Sequence, residues 1–200
     1  MKLKNKVAIV TGGGKGIGEE ISLGLAKEGA KVVVADLDKE NSSNVVKEIT
    51  KNSGDAIYVE TDVSNEVSVK KLISETINKF DQIDILINNA GIRHVKKLEK
   101  HDLNDWNDMI SVNLTGPYIC CQAVIPEMKK IGKGKIINFG SIASFMGRPD
   151  RVGYVAAKSG ILGLTRALAI DLKGTNINVN TICPGLISTP FNKKYAEDPT

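Results

Sequence analysis

The chain has 200 residues, 42% of them hydrophobic and 25% charged, with a net charge of +4, a composition that suits one globular domain with a buried core. The lysines are scattered without a basic run, which argues against a nucleic-acid footprint. Val7-Ala8-Ile9-Val10 is too short for a signal-peptide core, and no apolar run reaches membrane length.

Taken in chain order, β-branched runs predict strands over residues 6–11, 31–35, 56–60, 83–87, 135–139 and 176–181. Helical periodicity fills residues 16–28, 41–52, 66–80, 102–128 and 151–172. Several strands are apolar throughout, as expected of strands buried on both faces of a parallel sheet. Strict alternation of strand and helix predicts an α/β, doubly wound parallel sheet, the Rossmann fold, in three α/β/α layers. Ligands bind such a sheet beyond the carboxyl ends of its strands. Cys120, Cys121 and Cys183 have neither disulfide nor zinc spacing and read as buried apolar side chains. A cytoplasmic protein without metal is expected.

The first strand runs into Thr11-Gly12-Gly13-Gly14-Lys15-Gly16-Ile17-Gly18, which opens a helix. Main-chain N–H groups and the positive end of a helix dipole suit a diphosphate. Glycines allow tight turns and close approach of a ligand. Asp36 ends the second strand, where a carboxylate can accept hydrogen bonds from adenosine ribose hydroxyls and repel a 2′-phosphate. Alternatively, Asp36-Leu37-Asp38 is an acidic turn. Lys15 could assist a 2′-phosphate, but an acid at the ribose should outweigh it, so NAD is expected in preference to NADP.

With the loop placed, residues 4 to about 190 resemble the short-chain dehydrogenase/reductase family. Its loop spacing is met at Thr11, Gly12, Gly16 and Gly18, and its Asn-Asn-Ala-Gly segment at Asn88, Asn89, Ala90 and Gly91. Asn113 stands within Ser-Val-Asn-Leu-Thr-Gly, Ser141 follows the fifth strand, and Tyr154-Val-Ala-Ala-Lys158 completes the signature. The resemblance implies that Asp62 and Val63 contact the adenine and that Pro184, Gly185, Ile187 and Thr189 form the nicotinamide-carboxamide site. It also implies a homo-oligomer, a dimer or tetramer. A substrate-covering loop, a further helix and a seventh strand are implied beyond the last match. The chain therefore reads as one NAD(P)-binding domain without the substrate lid and last strand, hence as a partial chain, with a loop beginning over residues 192–200.

Tyr154 and Lys158 are four residues apart and share a helix face, about 6 Å apart along the axis. A phenol with a pKa of ~10 is a poor base at neutral pH. A neighbouring cation favours the phenolate and brings it nearer the working pH. Ser141 can hydrogen-bond a substrate oxygen. By resemblance, Lys158 also binds the nicotinamide ribose, and Asn113 marks a helix irregularity with a water-linked proton relay to Lys158. In isolation, the Tyr–Lys pair could be a surface pair, Ser141 a helix N-cap and Asn113 a buried structural amide.

His94, Arg148, Asp150 and Arg151 are expected to border a substrate cleft for a hydroxylated or anionic small molecule, or to be solvated loop charges. His101 and Trp106 read as helix-start and core residues. The expected function is hydride transfer between NAD(H) and a secondary alcohol or ketone, such as a sugar, hydroxy acid or polyol. The alternatives are an NADP(H)-linked 3-oxoacyl-thioester reductase and a non-catalytic dinucleotide sensor.

Overall fold

The computed structural model describes residues 1–189 and 191–192; the loop expected over 192–200 lies outside the described residues from 193 onward. The strands are β1 (Val7–Thr11), β2 (Lys31–Asp36), β3 (Ala56–Glu60), β4 (Ile85–Asn88), β5 (Gly134–Phe139) and β6 (Ile177–Ile182). The helices are α1 (Gly16–Lys27), α2 (Lys39–Lys51), α3 (Glu66–Phe80), α4 (Leu103–Ile110), α5 (Gly116–Lys130) and α6 (Val152–Asp171). All the strand pairs are parallel, in the order β3-β2-β1-β4-β5-β6. The order reverses between β1 and β4, where the expected α/β sheet would receive its ligand.

β1 is buried throughout because helices cover both faces of the sheet. Its Val7 and Ile9 pack with Val33, Leu86 and Ile136 against Leu72 of α3 and Val124 and Met128 of α5. Ala8 and Val10 face the other way, with Val32, Val34 and Ile87, against Val45 and Ile49 of α2. The period-two strand geometry thus feeds both layers from one continuous apolar run.

Helix boundaries follow local capping. Asp38 accepts a hydrogen bond from Asn41 N and starts α2 at Lys39, two residues earlier than periodicity alone suggests. Asn65 caps α3 through Val67 N and Ser68 N. β4 starts at Ile85 rather than residue 83. The preceding Asp84 is spent on side-chain bonds, accepting from Val7 N at 3.0 Å and Lys6 Nζ at 2.9 Å. The long helix expected over 102–128 is broken, with a π turn at Ser111–Thr115 separating α4 from α5.

Candidate active site

The glycine loop is fixed by close backbone packing. Gly12 and Gly16 have φ of +62° and +56°, the left-handed region in which a Cβ is costly. A Cβ on Gly18 would stand 1.9 Å from the Gly12 carbonyl oxygen. Asn89, just after β4, donates from Nδ2 to the carbonyls of Thr11 and Gly12. Thr11 Oγ1 in turn accepts from Asn89 N and Ala90 N, each at 3.1 Å. These bonds join the ends of β1 and β4 across the switch point. Lys15 precedes α1 without a side-chain cap, whereas Asp38, Asn65 and Asp102 cap α2, α3 and α4. The first turn of α1, around Ile17, therefore retains donors suited to a diphosphate.

Asp36 sits beside that loop. Its Oδ2 accepts from Gly14 N and its Oδ1 from Asp38 N, both at 3.0 Å. Lys15 turns to Asp38 and forms an ion pair with it. Leu37, Asp62 and Ser68 line a depression next to Glu60, the register partner of Asp36. Asp62 accepts from both Ser64 N and Ser64 Oγ. Val63 is buried against Gly116, where an added Cβ would meet Val63 Cγ2 at 2.9 Å. The uncapped helix start, the glycine cradle and an acid at the end of β2 together fit a nicotinamide dinucleotide.

The second half of the site lies at the ends of β5 and β6. Ser141 follows β5 and accepts from Ala143 N at 3.1 Å, capping a 3₁₀ turn at Ile142–Ser144. That bond uses an acceptor lone pair and leaves the hydroxyl proton to donate elsewhere. Ser144 Oγ donates to the Lys158 carbonyl at 2.7 Å, fastening the turn to α6. Tyr154 is buried with Ala143 of this turn and Met109 of α4. Lys158 is 5% exposed and its Nζ donates to the Phe139 carbonyl at 2.7 Å. It lies 5.9 Å from the centre of the Tyr154 ring. Burial lowers the Lys158 pKa to about 8.

Asn113 sits in the π turn and is fully buried. It accepts from Ile92 N at 3.2 Å and donates to the Ile92 and Met109 carbonyls, both at 3.0 Å. The extra residue of a π turn rotates the helix locally, and here an asparagine amide secures the chain just after β4. Gly91 lies between the two groups: a Cβ there would come 2.7 Å from Asn113 Oδ1 and 3.6 Å from Lys158 Nζ. Pro184 accepts a hydrogen bond from Ile142 N at 3.0 Å, which places Pro184-Gly185 beside the Ser141 turn. Ile187 and Thr189 carry carbonyls that accept from Asn192 Nδ2 and Asn192 N.

A family model described as short chain dehydrogenase matches residues 6–200. The chain belongs to the short-chain dehydrogenase family. One relative, an uncharacterized oxidoreductase of Thermotoga maritima, is 42% identical over 192 residues, 96% of this chain and 75% of its own. Another, a 3-oxoacyl-[acyl-carrier-protein] reductase of Synechocystis, is 41% identical, over 98% of this chain and 80% of its own. A candidate NAD(P)-dependent gluconate 5-dehydrogenase of Beutenbergia cavernae, solved with NADP at low occupancy, superposes with a TM-score of 0.93 at 31% identity, covering 99% of this chain and 79% of that one.

As a short-chain dehydrogenase, the chain has features beyond its expected site residues. Asn88, Asn138 and Thr181 stand in register on β4, β5 and β6. Asn88 donates to Asn138 at 2.8 Å, Asn138 to Thr165 of α6 at 2.9 Å, and Thr181 to Thr165 at 2.7 Å. This largely buried network supports the floor of the candidate site; its sequence signal is the asparagine near the carboxyl end of each of β4 and β5. Arg93, which no motif marks, lies beside Tyr154. Its guanidinium lies 6.0 Å from the Tyr154 ring centre and 4.7 Å from that of Phe191, and it donates to Asn192 Oδ1 at 3.1 Å.

Of the weaker candidates, Trp106 and Cys183 depart from expectation. His94 Nδ1 lies 3.3 Å from Asp105, which also pairs with Lys96. Arg148, Asp150 and Arg151 line a groove with Lys96 and Val155, and Arg151 donates to the Pro149 carbonyl. His101 immediately precedes Asp102, the residue that caps α4. Trp106 is not a core residue: it is 38% exposed because Met109 supplies the buried contact of this short helix. Cys120 and Cys121 are buried, but Cys183 is only half-buried because it follows β6 beside Gly140. Among the described residues, no helix is long and apolar enough to cross a membrane.

Proposed function

We propose that this oxidoreductase transfers hydride between NAD(H) and a secondary alcohol or ketone, with Tyr154 as the proton-transfer residue. The carrying observation is the burial of Lys158 beside Tyr154 on a helix fastened to the Ser141 turn. The nicotinamide, when bound, supplies the hydride acceptor for alcohol oxidation or the donor for ketone reduction. Tyr154 Oη takes the hydroxyl proton in the first direction and returns it in the second. Ser141 Oγ donates a hydrogen bond through its hydroxyl proton to the substrate oxygen and holds the carbonyl in line.

Lys158 has a positioning and an electrostatic duty. The Phe139 carbonyl occupies one of its three N–H groups. The others are available to the nicotinamide ribose and to a water-linked proton relay through the Asn113 turn. The Lys158 ammonium, 5.9 Å from the Tyr154 ring centre, stabilises negative charge developing on Oη as the proton moves. Asp62 and Val63 are assigned to the adenine side. Pro184, Gly185, Ile187 and Thr189 are assigned to the carboxamide. Preference for NAD rests on Asp36 beside the loop.

The relatives named 3-oxoacyl-[acyl-carrier-protein] reductase favour a second reading, reduction of a 3-oxoacyl thioester. A screen following reduced-nicotinamide absorbance separates the two. It should include sugars, hydroxy acids, polyols and 3-oxoacyl thioesters, each with NAD(H) and NADP(H). Turnover of a simple hydroxy compound with NAD supports the main reading. Turnover confined to thioesters with NADPH replaces it. Tight dinucleotide binding without any turnover identifies a sensor instead.

A further inference from the structure

Lys15 and Asp38 meet at the mouth of the expected ribose site. Asp38 is held in advance of that contact: its N–H donates to Asp36 Oδ1 at 3.0 Å. Its carboxylate accepts from Asn41 N at 3.1 Å and Asn41 Nδ2 at 2.9 Å as the cap of α2. Lys15, by contrast, has a side chain 53% exposed on the glycine loop. The fixed partner is therefore the aspartate, and the lysine comes to it. The ion pair and the neighbouring carboxylates of Asp36 and Glu40 both favour the charged lysine.

We propose that Asp38 is a specificity-determining residue that clamps Lys15 and withholds its charge from a 2′-phosphate on the adenosine ribose. The inference rests on the placement of that ribose at Asp36. A ribose bearing a 2′-hydroxyl leaves the Lys15–Asp38 pair intact. A 2′-phosphate must draw Lys15 away and leave the Asp38 carboxylate unpaired beside a second anion. The pair is solvent-exposed, so the clamp acts over several-fold in affinity rather than orders of magnitude. Asp36 opposes the phosphate directly, while Asp38 removes the cation that could compensate.

Titration calorimetry with NAD and NADP on the folded chain, Asp38→Asn, Lys15→Met and the double variant tests the clamp. Asparagine retains the capping oxygen, so α2 should persist, as an unchanged unfolding midpoint would show. Asp38→Asn should tighten NADP binding by about 2- to 5-fold and alter NAD binding by less than about twofold. On the Lys15→Met background that gain should disappear. No gain, or an equal gain without Lys15, overturns the clamp. The unmodified chain judges the broader reading separately: tighter binding of NADP than NAD defeats the NAD preference, whereas the cycle still decides what Asp38 does to Lys15.

Discussion

Ser144 Oγ donates a 2.7 Å hydrogen bond to the main-chain carbonyl of Lys158 and accepts one from Ser141 N at 3.1 Å. One buried hydroxyl thus holds the turn that presents Ser141 against the helix that carries Tyr154 and Lys158. Ser144→Ala should cost about 1–2 kcal/mol of unfolding free energy. It should lower kcat several-fold while dinucleotide affinity stays near its original value. Chemical denaturation and steady-state kinetics check both; an unchanged kcat would show that the tie does not position the proposed catalytic groups.

Lys158, through its burial, makes the stability of the fold depend on pH. Its folded pKa is about 8, below the ordinary 10.5, because burial disfavors the cation. Between those values the unfolded chain binds the extra proton, so this group's contribution to stability rises with pH. The stability of the unmodified protein relative to Lys158→Met should increase by about 2–3 kcal/mol from neutral pH to about pH 10. Urea unfolding at both conditions measures the difference, and a flat or falling difference would contradict the buried cation.

The glycines of α1 should respond oppositely to alanine. At Gly18 the new Cβ meets the Gly12 carbonyl at 1.9 Å, so the loop must shift. Gly18→Ala should lose about 2–4 kcal/mol and weaken dinucleotide binding at least about tenfold. Outside its own helix backbone and chain neighbours, Gly24 has no atom within 4 Å of an added Cβ, and Gly24→Ala should stabilise by about 0.5–1 kcal/mol. Thermal melts and cofactor titration distinguish the two.

Asn113→Ala removes the amide that bonds both polar groups of Ile92 and the Met109 carbonyl. Leaving buried main-chain groups unpaired should cost about 2–4 kcal/mol. Hydrogen exchange should quicken at Ile92, and turnover should fall. An unchanged exchange rate at Ile92 would count against the anchoring role.

The sheet was legible because apolar runs and intervening periodic segments recur in order, and burial on both faces leaves those runs nearly uninterrupted. The candidate-site segments other than the one around Asn113 stood out because each follows a strand or lies at the start of a helix. Composition did not reveal that Lys15 would pair with Asp38, since the partner choice depends on the α2 cap and on how its turn meets the glycine loop. Nor did periodicity resolve the π turn: Asn113 is a weak helix former, but only its bonds to Ile92 and Met109 make it a structural joint. Trp106 misled because large aromatics are usually well buried, whereas on this short helix Met109 takes the interior position.

Parallel turnover and binding measurements on Tyr154→Phe test the central claim most directly. The variant keeps the ring packed against Ala143 and Met109 and removes only the hydroxyl proposed to carry the proton. Turnover with a substrate identified by the cofactor screen should fall by at least about 10³-fold, while the dissociation constant for NAD stays within a few-fold. Near-normal turnover with the phenylalanine variant would contradict the assignment of Tyr154 as the proton-transfer residue.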